Sequence, residues 1–188
     1  MCGFVGLYLN DSSLLEVNRY EKVLSKMSKV IEPRGPDDKG IFIDKNNKLG
    51  LGFRRLSILD LKKTANQPMV SRDKDWVIVF NGEVYNFHEL KKQINNNRDF
   101  WRTSSDTEVI LELIAQYGFL KAIPMLNGMF AIAAYCFSKK TLWLARDKFG
   151  EKPIYYHFSL REGLTFSSDI RSFFLVPNFC KELSKEAC

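Results

Sequence analysis

MCGFVGLYLN, residues 1–10, is the stretch on which the reading of this chain turns. From Cys2 to Leu9 it is short, apolar and rich in Phe, Val and Tyr, as a buried strand would be. A small second residue favours removal of the initiator Met, which would leave Cys2 with a free α-amine. An α-amino group titrates near ~8 and a thiol near ~8.5, so the two can exchange a proton around neutral pH. One residue then supplies both a nucleophile and its base. The same cysteine also reads as a small buried hydrophobe at a strand start, and Cys2 alone does not choose between the two.

Further along the chain, Tyr20, Val23, Leu24, Met27, Val30 and Ile31 recur at helical spacing over residues 19–31. Pro33 and the turn-forming Arg34-Gly35-Pro36-Asp37 end that helix. Strands are expected at 40–44, 48–54, 75–80 and 82–85. Helices are expected to start at Asn86-Phe87-His88-Glu89 and at Ser105-Asp106-Thr107-Glu108, each with a capping residue three positions before an acid. Beyond Asn127-Gly128 come the runs MFAIAAY, TLWLA, PIYYHF and LTFSS. They are continuous rather than alternating, which predicts sheets covered on both faces. The expected fold is α+β, two packed sheets with helices outside.

The chain has 188 residues, enough for one well-buried domain. With 45% apolar and 27% charged residues it has ordinary globular composition. The net charge of +6 is spread over pairs such as Arg54-Arg55 and Lys139-Lys140, with acids between them. A solvated surface explains that pattern better than a phosphate-binding face, so no nucleic-acid partner is expected. No run approaches the ~18 apolar residues of a membrane span, and the start lacks a basic leader and cleavage site. The expected compartment is the cytoplasm. Cys2, Cys136, Cys180 and Cys188 are far apart, and two histidines without HExxH give no support to a metal site.

Three further features carry candidate chemistry. Asn81-Gly82 lies between Trp76-Val77-Ile78-Val79-Phe80 and Glu83-Val84-Tyr85. By itself it reads first as the commonest two-residue hairpin turn; the functional reading, which can hold beside it, is an oxyanion hole formed by the Asn81 amide and the Gly82 N–H. On the functional reading, glycine allows the substrate to approach closely. Arg55, flanked by apolar residues, could grip a carboxylate with two parallel bonds, while Arg54 is the better candidate for a surface charge at the strand edge. Asp106 falls in the first turn of a helix, where the dipole alone favours an acid; it could also accept a substrate ammonium.

Together these segments resemble the glutaminase domain of class II glutamine amidotransferases, specifically that of the asparagine synthetase family. The resemblance runs in order over nearly the whole chain. It includes Met1-Cys2-Gly3-Phe4, Arg34-Gly35-Pro36-Asp37-Asp38, Arg54-Arg55-Leu56-Ser57-Ile58-Leu59-Asp60 and Gln67-Pro68-Met69. It continues through Phe80-Asn81-Gly82-Glu83-Val84-Tyr85-Asn86, Ser105-Asp106-Thr107-Glu108 and Leu126-Asn127-Gly128-Met129-Phe130-Ala131. The last pieces are Arg146-Asp147-Lys148-Phe149-Gly150-Glu151-Lys152-Pro153 and Phe166-Ser167-Ser168-Asp169-Ile170. The family commonly has His where this chain has Pro33 and Phe53, and neither position carries the candidate chemistry of Cys2, Asn81, Gly82, Arg55 or Asp106.

The resemblance implies a four-layer αββα sandwich of the N-terminal-nucleophile hydrolase type. It implies Cys2 as nucleophile and Asn81 and Gly82 as the oxyanion hole. Glutamine would be bound by Arg55, Leu56, Ser57, Ile58 and Leu59, by Asn81, Gly82 and Glu83, and by Asp106. Arg55 would hold the α-carboxylate, and Asp106 with Glu83 would address the α-ammonium or neighbouring amides. The implied reaction is hydrolysis of L-glutamine to glutamate and ammonia through a γ-glutamyl thioester, feeding an ATP-dependent asparagine synthetase or related amide ligase. The alternative is a non-catalytic module that binds glutamine or scaffolds its partner. Residues 1–180 form the expected domain, and 181–188 read as the start of a C-terminal synthetase domain. The chain has no SGGxDS-type loop, so no cofactor is expected in it, and ATP and magnesium belong to the second domain. The acceptor of the ammonia is open, as is the assembly, a homodimer among the alternatives.

Overall fold

The computed structural model describes residues 2–10, 17–57, 63–94, 100–177 and 179. Among them, strands β1 (Gly3–Leu9), β2 (Asp38–Asp44), β3 (Leu49–Arg55), β8 (Tyr155–Ser159) and β9 (Gly163–Ser167) form one sheet in the order β2-β3-β1-β9-β8. Strands β4 (Met69–Val70), β5 (Trp76–Val84), β6 (Gly128–Cys136) and β7 (Thr141–Arg146) form a second, in the order β4-β5-β6-β7. Every pairing is antiparallel. The helices are α1 (Val17–Val30), α2 (Phe87–Ile94), α3 (Asp106–Tyr117) and α4 (Phe119–Ala122).

Three apolar layers tie these elements together. Val5 and Leu7 of β1 pack with Tyr20, Leu24, Met27 and Ile31, which puts α1 outside the first sheet. Phe4, Leu51, Phe53, Val77, Val79, Ala131, Ala133, Tyr135 and Phe166 fill the space between the sheets. Ile78, Phe80, Ile132 and Ala134 meet Leu90, Val109, Ile110 and Leu113, so α2 and α3 cover the second sheet. The result is a four-layer αββα sandwich. Alternate residues of β5 and β6 enter different layers, as the two-residue period of a strand requires. Both faces are buried, and this explains their continuous apolar runs.

The structure corrects several sequence expectations. Asn81-Gly82 is not a hairpin: β5 runs through it unbroken, Asn81 opposite Ala131 and Gly82 opposite Phe130. The turn signal is overridden because β5 pairs with β6 over its whole length. TLWLA and PIYYHF are not covered on both faces; β7 is half-buried and β8 largely exposed, because each ends its sheet and lacks a neighbour on one side. Arg54 is buried, not a surface charge: β3 lies inside its sheet, and the guanidinium bonds the Ser28 carbonyl and Glu32. Asn86 precedes α2, but its side chain is spent on the Met125 carbonyl and the Asn127 amide instead of the helix. Ser105 does cap α3, accepting from the Thr107 amide. The expected helix at 181–188, with Cys180 and Cys188, lies outside the described residues. Among the described residues no helix is long and apolar enough to cross a membrane.

Gly6 gives a direct test of this packing. A Cβ there would lie 2.0 Å from the Phe166 ring between the sheets. Overpacking of this kind costs about 1–3 kcal/mol. Gly6→Ala should therefore lower the melting temperature, and adding Phe166→Leu should recover part of the loss. Equal melting temperatures for Gly6→Ala and the parent would contradict the described register of β1 and β9.

Candidate active site

The site sits at one end of the sandwich, where β1 begins and β3 and β5 finish. It is a cavity of about 200 Å³, small beside the ~300–1,000 Å³ of pockets for drug-sized ligands. Cys2, Arg55, Leu56, Asn81, Gly82, Glu83 and Asp106 all line it. Ser57 is not on the wall, its amide held by Asp37 at 2.8 Å. Ile58 and Leu59 lie outside the described residues.

Cys2 stands just before β1, beside the end of β3. Its sulfur receives the Leu56 N–H at 3.3 Å and lies 3.5 Å from the Leu56 carbonyl, to which the thiol can donate. The Cys2 carbonyl accepts from Arg34 Nε at 3.2 Å. The Arg34–Asp37 turn lies tight against β3, since a Cβ on Gly35 would be 2.5 Å from the Arg54 carbonyl. Burial raises the Cys2 thiol above its ordinary value, while the Leu56 amide pulls it back in part. The resting group is a thiol, and nucleophilic attack by it needs a base.

Asn81 and Gly82 serve β5 in different ways. The Asn81 side chain is on the intersheet face, with the same parity as Val77 and Val79. Its Nδ2 is buried without a hydrogen-bond partner, an arrangement that calls for a ligand or a reason. Gly82 has no alternative residue: a Cβ would lie 2.2 Å from the Met129 carbonyl of β6. Glycine is required here by the approach of β6 alone, whatever enters the cavity.

Backbone direction completes the picture. The Phe130 N–H and C=O are both turned toward β7, bonding Asp147. Gly82, opposite Phe130, is therefore in a non-hydrogen-bonded pair with it, and its N–H points to the other edge of β5. On that edge β4 reaches only Val77 and Ile78. The Phe80 N–H is taken by Gln67 Oε1 at 2.6 Å and the Val84 N–H by Asp106 Oδ2 at 3.1 Å. Between them the Gly82 N–H faces the cavity.

Asp106 is the first residue of α3 and is buried. Burial pushes its carboxyl up to about 6, against the pull of the Val84 and Thr107 amides and the Ser105 hydroxyl. The segment ahead of it is fixed by the fully buried Glu108. That carboxylate accepts from the Arg102 amide and Nε and from the Thr103 amide and hydroxyl. Arg55, also buried, ends β3 and gives the cavity a cation to set against Asp106, while exposed Glu83 lies at the rim.

Sequence reasoning assigned no role to Gln67, Thr107 or Lys152, which also line the cavity. Gln67 and Lys152 stand in segments that carried the family resemblance, but no spacing pattern marks a lone glutamine or lysine as part of a site. Chemically, the cavity combines a thiol, two donors suited to a developing oxyanion, and charges of both signs for a zwitterion.

Comparison with known proteins agrees with this reading. A family profile described as a glutamine amidotransferase domain matches residues 1–188. An asparagine synthetase (glutamine-hydrolysing) of Bacillus subtilis is 38% identical over all of this chain, and a putative one of Methanocaldococcus jannaschii is 38% identical over 99% of it. The chain spans 28% and 36% of the lengths of those two proteins. In fold it matches the glutamine phosphoribosylpyrophosphate amidotransferase of B. subtilis with a TM-score of 0.73, at 20% identity, over 93% of this chain and 43% of that one. With the profile matching end to end and the αββα sandwich shared, this chain belongs to the glutamine amidotransferase domain family.

Proposed function

We propose that this chain hydrolyses L-glutamine with Cys2 as nucleophile and supplies the ammonia to an ATP-dependent amide ligase, an asparagine synthetase or a relative. One observation carries the reading: the Cys2 sulfur and the unpartnered Asn81 amide line one small cavity. A buried donor without an acceptor suits a charge that exists only during the reaction.

Removal of Met1 leaves an amine on Cys2, which takes the thiol proton as sulfur attacks the side-chain amide carbon of glutamine. The carbonyl oxygen becomes an oxyanion held by Asn81 Nδ2 and the Gly82 N–H. The amine returns its proton to the leaving nitrogen, the C–N bond breaks, and ammonia departs from a γ-glutamyl thioester. Water, losing a proton to the amine, then attacks the thioester carbon, releasing glutamate and restoring the thiol. Arg55 pairs with the α-carboxylate and Asp106 with the α-ammonium. A side-chain amide within a peptide lacks both charges and offers neither anchor its complement.

The relatives' greater length supports a second, C-terminal domain as partner, and ATP and magnesium are assigned to that domain. The free thiols of Cys2 and Cys136 suit a reducing compartment, in keeping with the cytoplasm.

The test is glutamate release by tag-free protein whose lack of Met1 is confirmed by mass. Cys2→Ala should abolish it, and Asn81→Ala should lower kcat by ~10²–10³-fold, as loss of one oxyanion donor does. A parent that binds glutamine without hydrolysing it would favour the binding-module alternative.

Asp106 generates a prediction about pH. Its carboxyl sits at about 6, above the ordinary value, and only the carboxylate attracts an ammonium. KM for glutamine should therefore rise as pH falls through about 6. The same raised value means that ionised Asp106 costs the unliganded fold stability above that range, a cost relieved as pH falls toward the ordinary carboxyl value. Asp106→Asn keeps an acceptor for the Val84 N–H and removes the charge. It should raise KM by about tenfold or more, equivalent to ~1.4 kcal/mol of lost binding. It should also raise the melting temperature at mildly alkaline pH, and by less in mild acid. A KM independent of pH in this range, or a melting temperature lowered at alkaline pH, would contradict the role given to Asp106.

A further inference from the structure

β4 pairs Met69 with Ile78 and Val70 with Val77, a register that when extended places Gln67 opposite Phe80. The backbone does not follow it. At Gln67 it passes over β2 so closely that a Cβ on Gly40 would lie 1.8 Å from the Gln67 carbonyl. The side chain turns back in its place. Gln67 Oε1 accepts the Phe80 N–H at 2.6 Å, and Gln67 Nε2 donates to the Phe80 carbonyl at 3.2 Å. A primary amide has the donor and acceptor of a peptide group, and here it completes the ladder that the departing strand leaves unfinished. Nε2 has a second hydrogen, which it donates to Thr107 Oγ1 at 3.2 Å. Gln67 is itself buried and lines the cavity.

We infer that Gln67 is the positioning residue that holds the two halves of the site in register. One half is the oxyanion pair Asn81 and Gly82, which directly follow Phe80 on β5. The other is Asp106, which directly precedes Thr107 on α3. This buried amide links both, beside the direct bond from the Val84 N–H to Asp106, so the oxyanion donors and the ammonium anchor keep a fixed separation, and the substrate's amide and α-carbon must match it. The kinetic part of this inference rests on the glutaminase reading; the structural link does not.

The test compares Gln67→Met, Gln67→Glu and Thr107→Val with the parent, as tag-free full chains lacking Met1. In Gln67→Met, kcat should fall about tenfold or more and KM should rise, since both halves lose the bonds of the Gln67 amide and the Val84–Asp106 bond is left to hold them. Thr107→Val removes the helix-side bond alone, so it should raise KM while lowering kcat less than Gln67→Met does. Gln67→Glu supplies the pH readout. Its protonated carboxyl can still accept from the Phe80 N–H and donate to the Phe80 carbonyl, whereas the carboxylate cannot donate. The ratio of variant to parent kcat, taken at each pH so that Asp106 cancels, should therefore fall as pH rises. A flat ratio, or Gln67→Met with parental kcat and KM, would overturn the inference. So would a lowered melting temperature with unchanged kinetics, which would assign Gln67 to the fold alone. Amide hydrogen exchange separates this from the glutaminase reading: Phe80 should exchange faster in Gln67→Met while Ala133 does not. If the parent releases no glutamate, the activity proposal fails, and the exchange at Phe80 alone decides: faster upholds the link, unchanged overturns it.

Discussion

The outer edge of β5 is the constraint on which the site depends. β5 is paired along its whole length with β6, but on its other side β4 pairs with it at two residues only. Beyond that point the backbone groups of Phe80, Gly82 and Val84 are turned toward a region where, among the described residues, no strand meets them. Buried amides must find partners, and this chain recruits them from elsewhere. Gln67 reaches back from the segment before β4, and Asp106 comes from the start of α3. The gap left between those two side chains, at Gly82, is where the cavity lies. Where the strand pairing stops a cavity can form, because the strand's obligations are met by side chains that also shape its walls.

That arrangement requires α3 to be held with its first turn fixed. Asp106 alone would be a poor anchor, because its own burial opposes its charge. The fixity comes from Glu108, which ties down the Arg102 and Thr103 amides, and from the Ser105 cap. Helix α3 is itself held by Val109, Ile110, Leu113 and Ile114 against the second sheet. The unfavourable placement of Asp106 is thus offset by neighbours whose groups are satisfied. A carboxylate in such a place is stabilised most when an ammonium arrives, which is the electrostatic basis of the proposed selection for a free amino acid.

The amount of this that could be read from the sequence depended on the kind of signal. Apolar runs and helical spacing located the strands and helices because burial imposes them directly; β6 and α3 are clear cases. The order of the family motifs located Cys2, Asn81, Gly82, Arg55 and Asp106, and the structure brings all five into one cavity. Asn81-Gly82 misled as a turn because local propensity favours a hairpin by only a small margin, and nine residues of pairing with β6 outweigh it. Arg54 misled because a strand pattern does not tell an inner strand from an edge. Gln67 was not legible at all. Its role comes from a backbone that leaves its register and a side chain that replaces it, and neither leaves a periodic trace.

The polar groups around the cavity fall into two sets, and the division follows the timing of charge. Those that shape the site are satisfied at rest: the Phe80 and Val84 amides, Glu108, and the Gln67 side chain. The Asn81 amide is not satisfied, and the Gly82 N–H is turned to the cavity between partners that serve its neighbours. Had these two donors been paired within the protein, a tetrahedral oxyanion would have to break those bonds before gaining its own. Left open in a small buried cavity, they cost the resting fold some stability, and on the proposed reaction they would lower the barrier when negative charge appears on the substrate oxygen. The rigid β5–β6 ladder makes the cost sustainable, because a looser strand would turn and pair these donors internally. Gly82 thus serves stability and chemistry by one property, its lack of a side chain: it lets β6 approach on one side and leaves the amide uncovered on the other.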